Sequence, residues 1–157
     1  MATIQHGDFK AMNVFLAKEG GKKEGGGAVL IDFASAGVGL SMSDISMHLC
    51  HAVPPPLLDS PTSGEDKMLE VYFSQLSESG VAVDRPKLER QYKLGCVDYF
   101  RFMTGRFYGF STPESYEKSA TNRNVALINR SPKAAFAFAE RVEGYVRMFE
   151  AEFAALT

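Results

Sequence analysis

From Ser131 onward, Ala135, Phe138, Val142, Tyr145, Phe149 and Phe153 recur in alternating steps of three and four. That spacing puts all six on one side of an α-helix, whereas a strand would divide them between two faces. Ser131-Pro132 supplies a cap and a first-turn proline, and Glu140, Arg141, Arg147 and Glu150 fall on the other faces. A long helix with one apolar side must be covered by further elements, so the chain is committed to a helical body.

The covering helices can be read upstream. Leu88, Tyr92, Cys96, Tyr99 and Met103 follow a cap at Asp84 and a proline at Pro86, predicting a helix of about six turns. Phe100, Phe102 and Phe107 widen its apolar side and mark it as the central helix. Met68, Leu69, Tyr72, Phe73 and Leu76 form another stripe, opened by Ser63-Gly64-Glu65-Asp66 and stopped at Gly80. A further helix begins near Ser41 or Ser43, with Asp44 in its first turn, and runs through His51 to Pro54-Pro55-Pro56. Consecutive prolines end that helix and predict an extended segment. Thr112-Pro113-Glu114 opens a weaker stripe of Tyr116, Ala120 and Leu127.

The N-terminal part reads differently. Val14-Phe15-Leu16-Ala17 and Ala28-Val29-Leu30-Ile31 are short strand patterns joined by a glycine-rich, charged stretch over 18–27, which predicts a loose hairpin. Its glycines and lysines match no phosphate-loop spacing, and no helix follows them. Residues 34–40 form a small-residue loop. The expected fold class is therefore mainly α with a small β-hairpin (α+β), in a single domain over 1–157. Residues 1–40 form a loop-and-hairpin region and 41–157 a helical subdomain.

Composition narrows the partners. A net charge of -2 leaves no basic footprint for nucleic acid or an anionic membrane. No run approaches the ~20 apolar residues that span a bilayer, and Met1–Gln5 lacks signal-peptide character, so the expected location is cytoplasmic. Cys50 and Cys96 lack metal-ligand spacing and are expected as buried free thiols. His48 and His51 find no third ligand at a metal-binding spacing, and packed or exposed helical histidines are favoured.

Three polar residues, Asp8, Asn13 and Asp32, are set into the otherwise apolar N-terminal region. Phosphoryl transfer asks for a carboxylate at the attacking hydroxyl and hard oxygen ligands for Mg²⁺ beside the phosphates. Asp8 suits the first task, and Asn13 with Asp32 the second. His6-Gly7-Asp8 alone could be a surface turn, or part of a metal-dependent phosphoesterase. The first reading makes Asn13 and Asp32 coincidental, and the second lacks the extra ligand clusters of a two-metal site.

His6-Gly7-Asp8-x-x-x-x-Asn13 followed by Ile31-Asp32-Phe33 resembles the aminoglycoside phosphotransferase and choline kinase branch of the protein-kinase-like fold. Within it the chain is most similar to the ecdysteroid-kinase-like small-molecule kinases, through the long helices after Asp32. The resemblance implies that Asp8 is the catalytic base, that Asn13 and Asp32 are Mg²⁺ ligands, and that His6 props the loop. It also implies that Lys10 lies near the transferred phosphate and that Asp44 braces the catalytic loop from below, although a plain first-turn carboxylate is an equal reading of Asp44. ATP is the implied phosphate donor and a small hydroxylated molecule the implied acceptor.

Only five residues precede His6. The phosphate-covering loop, strand lysine and helix glutamate of such a kinase have no counterpart there. The resemblance therefore covers a C-terminal lobe with the N-terminal lobe absent, expected to be weak or inactive alone and to self-associate through the exposed interlobe surface. The competing expectation is a non-catalytic, kinase-like binding or regulatory module.

Overall fold

The computed structural model describes residues 2–16, 27–62, 64–122 and 124–156. The chain begins with strand β1 (Ala2–Gln5), followed by β2 (Val14–Leu16), β3 (Ala28–Leu30) and β4 (Gly37–Leu40). Six α-helices follow among the described residues: α1 (Ser43–Ala52), α2 (Pro55–Leu58), α3 (Glu65–Glu78), α4 (Arg85–Arg106), α5 (Pro113–Ser119) and α6 (Pro132–Ala154).

The helices start where capping chemistry places them. The Asp84 carboxylate accepts the Lys87 N–H ahead of α4, and the Ser131 hydroxyl accepts the Ala134 N–H ahead of α6. Thr112 and Ser115 form a reciprocal capping box at α5. Helix α3 begins after Gly64 and ends at Glu78; the expected cap at Ser63 lies outside the described residues, as does most of the glycine-rich 18–27 stretch.

Helix α4 is the centre of the body, packed against α1 on one side and α6 on another. Phe73, Leu88, Tyr92, Cys96, Met103 and Phe138 are among its buried core residues. At the α1–α4 crossing a Cβ on Gly95 would lie 2.3 Å from the Ser46 hydroxyl oxygen, so glycine is what allows these helices to meet so closely. Cys50 and Cys96 are buried free thiols in the same crossing, their sulfurs 3.8 Å apart. Arg141 and the Tyr145 hydroxyl of α6 both meet the Glu65 carboxylate, the hydroxyl at 2.5 Å, in a largely buried polar clamp between α3 and α6, and Arg141 also pairs with the more exposed Asp59.

Three local expectations change. The hairpin β2–β3 forms, but a second antiparallel pair accompanies it, with Ala2 opposite Leu40 and Gln5 opposite Gly37. Ile4 and Val38 are each 81% exposed, so this pair buries no face and writes no alternation into residues 37–40, which read as loop. The triple proline ends α1 as expected, yet Pro55 and Pro56 then open the short α2, because proline is tolerated in a first turn that needs no N–H partner. Helix α5 stops at Ser119, and Leu127 falls instead in a separate 3₁₀ turn, Leu127–Asn129. No helix among the described residues is long and apolar enough to cross a membrane.

Candidate active site

Because β1 pairs with β4 while β2 pairs with β3, the connections over 6–13 and 31–36 run alongside each other between the two sheets. This nesting closes the separation in sequence between Asp8 and Asp32. Ile31 N–H donates to the Asn13 carbonyl at 3.1 Å. His6 Nδ1 accepts the Asp8 N–H at 3.3 Å, which leaves the proton on Nε2 to be donated to the Ile31 carbonyl at 2.8 Å. His6 is buried, its ring 4.6 Å from that of Phe33. It joins the two connections.

Gly7 has φ +78, and a Cβ there would lie 2.1 Å from the Ser35 carbonyl oxygen. Both the left-handed backbone and the close approach require glycine. Below the loop, the Asp44 carboxylate accepts the N–H groups of His6 at 2.7 Å and Gly7 at 3.0 Å. Asp44 is thus both a first-turn carboxylate of α1 and a brace for the loop.

Two further residues of α1 hold the same loop. His48 Nδ1 donates to the Phe9 carbonyl at 3.1 Å, and its ring stacks on Phe9 at 4.5 Å. His51 Nδ1 accepts the Ala11 N–H at 3.4 Å. Burial holds the imidazole of His48 below its ordinary range. Burial also pushes His51 down to about 4, with further lowering by His48, Lys10 and Arg130. Both rings are therefore neutral near pH 7, as the accepting Nδ1 of His51 requires. Neither was expected to serve the loop. The available signal was spacing, since Asp44, His48 and His51 stand at i, i+4 and i+7 on one helical face.

Asp8 is half-buried, and its Oδ2 lies 2.5 Å from Lys10 Nζ. Asn13 is buried at 3% exposure, with Nδ2 donating to the Asp8 carbonyl at 2.9 Å and to Asp8 Oδ2 at 3.3 Å. Both of those neighbours are acceptors, so the amide orientation is forced, and Asn13 Oδ1 has no hydrogen-bond partner among the described residues. Asp32 is exposed and is the one non-glycine residue with positive φ, 65°, among the described residues. A short carboxylate side chain tolerates that conformation better than most. Since Val14 pairs with Leu30, Asn13 and Asp32 sit at the same open end of the hairpin.

Among the described residues no group of three or more His, Cys, Asp and Glu is placed to hold a metal ion. Mg²⁺ does not need such a group when one carboxylate and one amide oxygen share it with substrate phosphates and water. The unpartnered Asn13 Oδ1 and the Asp32 carboxylate are hard oxygen donors that fit this mode.

Asp8 and Lys10 open onto a cleft of about 1190 Å³, whose far wall is built from α4, the turn after it and α5. Phe102, Phe107, Phe110, Tyr99 and Tyr116 make that wall largely aromatic. Burial pushes the Tyr99 hydroxyl well above its ordinary range, so it stays protonated. The arrangement offers a carboxylate and an ammonium group at one end of a ligand-sized space. The periodicity of α4 could not reveal which of its aromatic residues face a cleft and which face the core. Compared with family models, curated proteins and solved structures, this chain matches none.

Proposed function

We propose that this chain carries the catalytic-loop half of an ATP- and Mg²⁺-dependent phosphotransferase acting on a hydroxyl of a small molecule. One observation supports this reading most: Asp8 lines the cleft with Asn13 Nδ2 and Lys10 Nζ against its carboxylate, while Asn13 Oδ1 has no partner among the described residues and Asp32 sits at the same open end of the hairpin as Asn13. Asp8 accepts the proton of the attacking hydroxyl while that oxygen bonds to the γ-phosphorus. The bond from phosphorus to the bridging oxygen breaks, leaving ADP and a phosphate monoester. Lys10, already in contact with Asp8, places positive charge beside the transferred group. Asn13 and Asp32 would hold Mg²⁺, which when bound neutralises charge on the phosphate oxygens. Asp44, His6, His48 and His51 keep the loop in position before substrate arrives.

Mn²⁺ with ATP tests the metal half of the site by paramagnetic broadening in NMR. The Asn13 side-chain amide and the backbone around Asp32 should broaden, and Asp32→Ala should abolish this. Asp8→Asn should keep the broadening and lower phosphate transfer by about 10²- to 10⁴-fold. Broadening elsewhere in the chain, or none with Mn²⁺-ATP, would overturn the assignment and leave a metal-independent binding module.

A further inference from the structure

Five charged side chains line the cleft: Asp8, Lys10, Asp98, Arg101 and Arg106. Four of them are paired two by two. Lys10 Nζ lies 2.5 Å from Asp8 Oδ2, and an Arg101 guanidinium nitrogen lies 2.9 Å from Asp98 Oδ1. Arg106, in the last turn of α4, makes no ion pair or hydrogen bond to another of the described residues. Its guanidinium lies 5.9 Å over the Phe102 ring. The C-terminal end of α4 accounts for a cation at this position but leaves the guanidinium donors to water. With both carboxylates matched, the cleft carries one positive charge in excess.

The wall around that charge is apolar. Phe102 and Phe107 meet edge to face at 6.1 Å, and Phe110 is 81% exposed. A guanidinium steadied on a ring face presents a planar fork that matches a carboxylate. No carboxylate in the cleft is correspondingly free for an ammonium group, because Asp98 already faces Arg101.

Resting on the phosphotransferase reading above, we propose that the acceptor is a hydroxyl-bearing organic carboxylate. Its carboxylate pairs with Arg106, its body lies against Phe102, Phe107 and Phe110, and its hydroxyl is presented to Asp8. Cationic acceptors are disfavoured by the same charge excess.

Three probes differing only in one substituent test this: 4-(hydroxymethyl)benzoate, 4-(hydroxymethyl)benzamide and 4-(hydroxymethyl)benzylamine. Each is titrated by NMR against the full chain without nucleotide or metal. The benzoate should bind about five-fold more tightly than the amide, and the amine most weakly. Arg106→Met should erase the preference, and Arg106→Lys should retain part of it. In the unaltered protein the benzoate should shift the Arg106 Nε–H resonance while the amide does not, a readout that needs no variant. Equal binding of the three probes, tightest binding of the amine, no saturable benzoate binding, or a preference that survives Arg106→Met would each overturn the proposal. Because these titrations use neither ATP nor metal, a failed charge preference is distinguishable from failed Mn²⁺-ATP binding at Asn13 and Asp32.

Discussion

Residues 2–40 and residues 42–156 are held in place by different forces. Among the described residues every buried hydrophobic side chain lies at Met42 or beyond. Among the described residues before Met42 only His6 and Asn13 are buried, and both are polar. Ile4, Phe15, Leu16, Val29, Phe33 and Val38 of the first region are more than half exposed. The helical body is therefore stabilised by apolar burial, while the N-terminal loop region is fastened to α1 by directional hydrogen bonds through Asp44, His48 and His51. Burial is tolerant of pH, but the two histidine fastenings are not. The loop can come loose without the body unfolding, whereas loss of the body must release the loop.

The largest test acts on the body. Phe138, 3% exposed and packed edge-on against Phe100 at 5.4 Å, should cost about 3–5 kcal/mol when changed to Ala. Denaturant melts should then show loop and body unfolding together. Asp44→Ala removes the acceptor of two N–H groups and should cost the loop roughly 2–4 kcal/mol. Amide exchange at His6 and Gly7 should speed up while that of Leu69 and Phe73 stays unchanged. Equal loss of protection in both regions would erase the division.

Acidification acts on the same fastenings. His51 is held neutral in the folded chain, down to about 4 against an ordinary value of 6.5. Between those values the unfolded chain binds the additional proton. The stability linked to a neutral His51 is thus fully present above pH 6.5 and falls as pH drops towards 4, by roughly 2–3 kcal/mol in all. Following the His51 ring protons by NMR should show titration near pH 4, accompanied by loss of protection at Ala11. A titration midpoint near 6.5 with the loop intact would break the comparison. The smallest effect belongs to Arg147, whose i,i+4 pair with Glu143 is largely exposed. Arg147→Ala should leave both the melting temperature and the loop amides unchanged.

The helical body was legible because its signals are local. The steps of three and four from Ala135 to Phe153, the cap at Asp84 and the cap-proline pairs at Thr112 and Ser131 each specify backbone within a few residues. The hairpin strands were legible for the same reason. The β1–β4 pair was not, because its partners are 32 to 38 residues apart and neither buries a face. The loop roles of His48 and His51 also stayed hidden, although their helical spacing from Asp44 pointed at one target.

What the sequence determined by itself was the chemistry at hand and the elements that carry it. It set an acid, an amide and a second acid in turns beside short strands, ahead of amphipathic helices. Tertiary structure alone decided that the segments carrying them lie side by side. The nested pairing of β1 with β4 and β2 with β3 brings the 6–13 and 31–36 segments together, and Gly95 allows α1 to close on α4. It also decided that Arg106 faces a cleft without a carboxylate partner. Spacing along a chain constrains neighbours within a turn or a strand, whereas a site assembled from segments tens of residues apart depends on which backbones pair and how closely two helices approach.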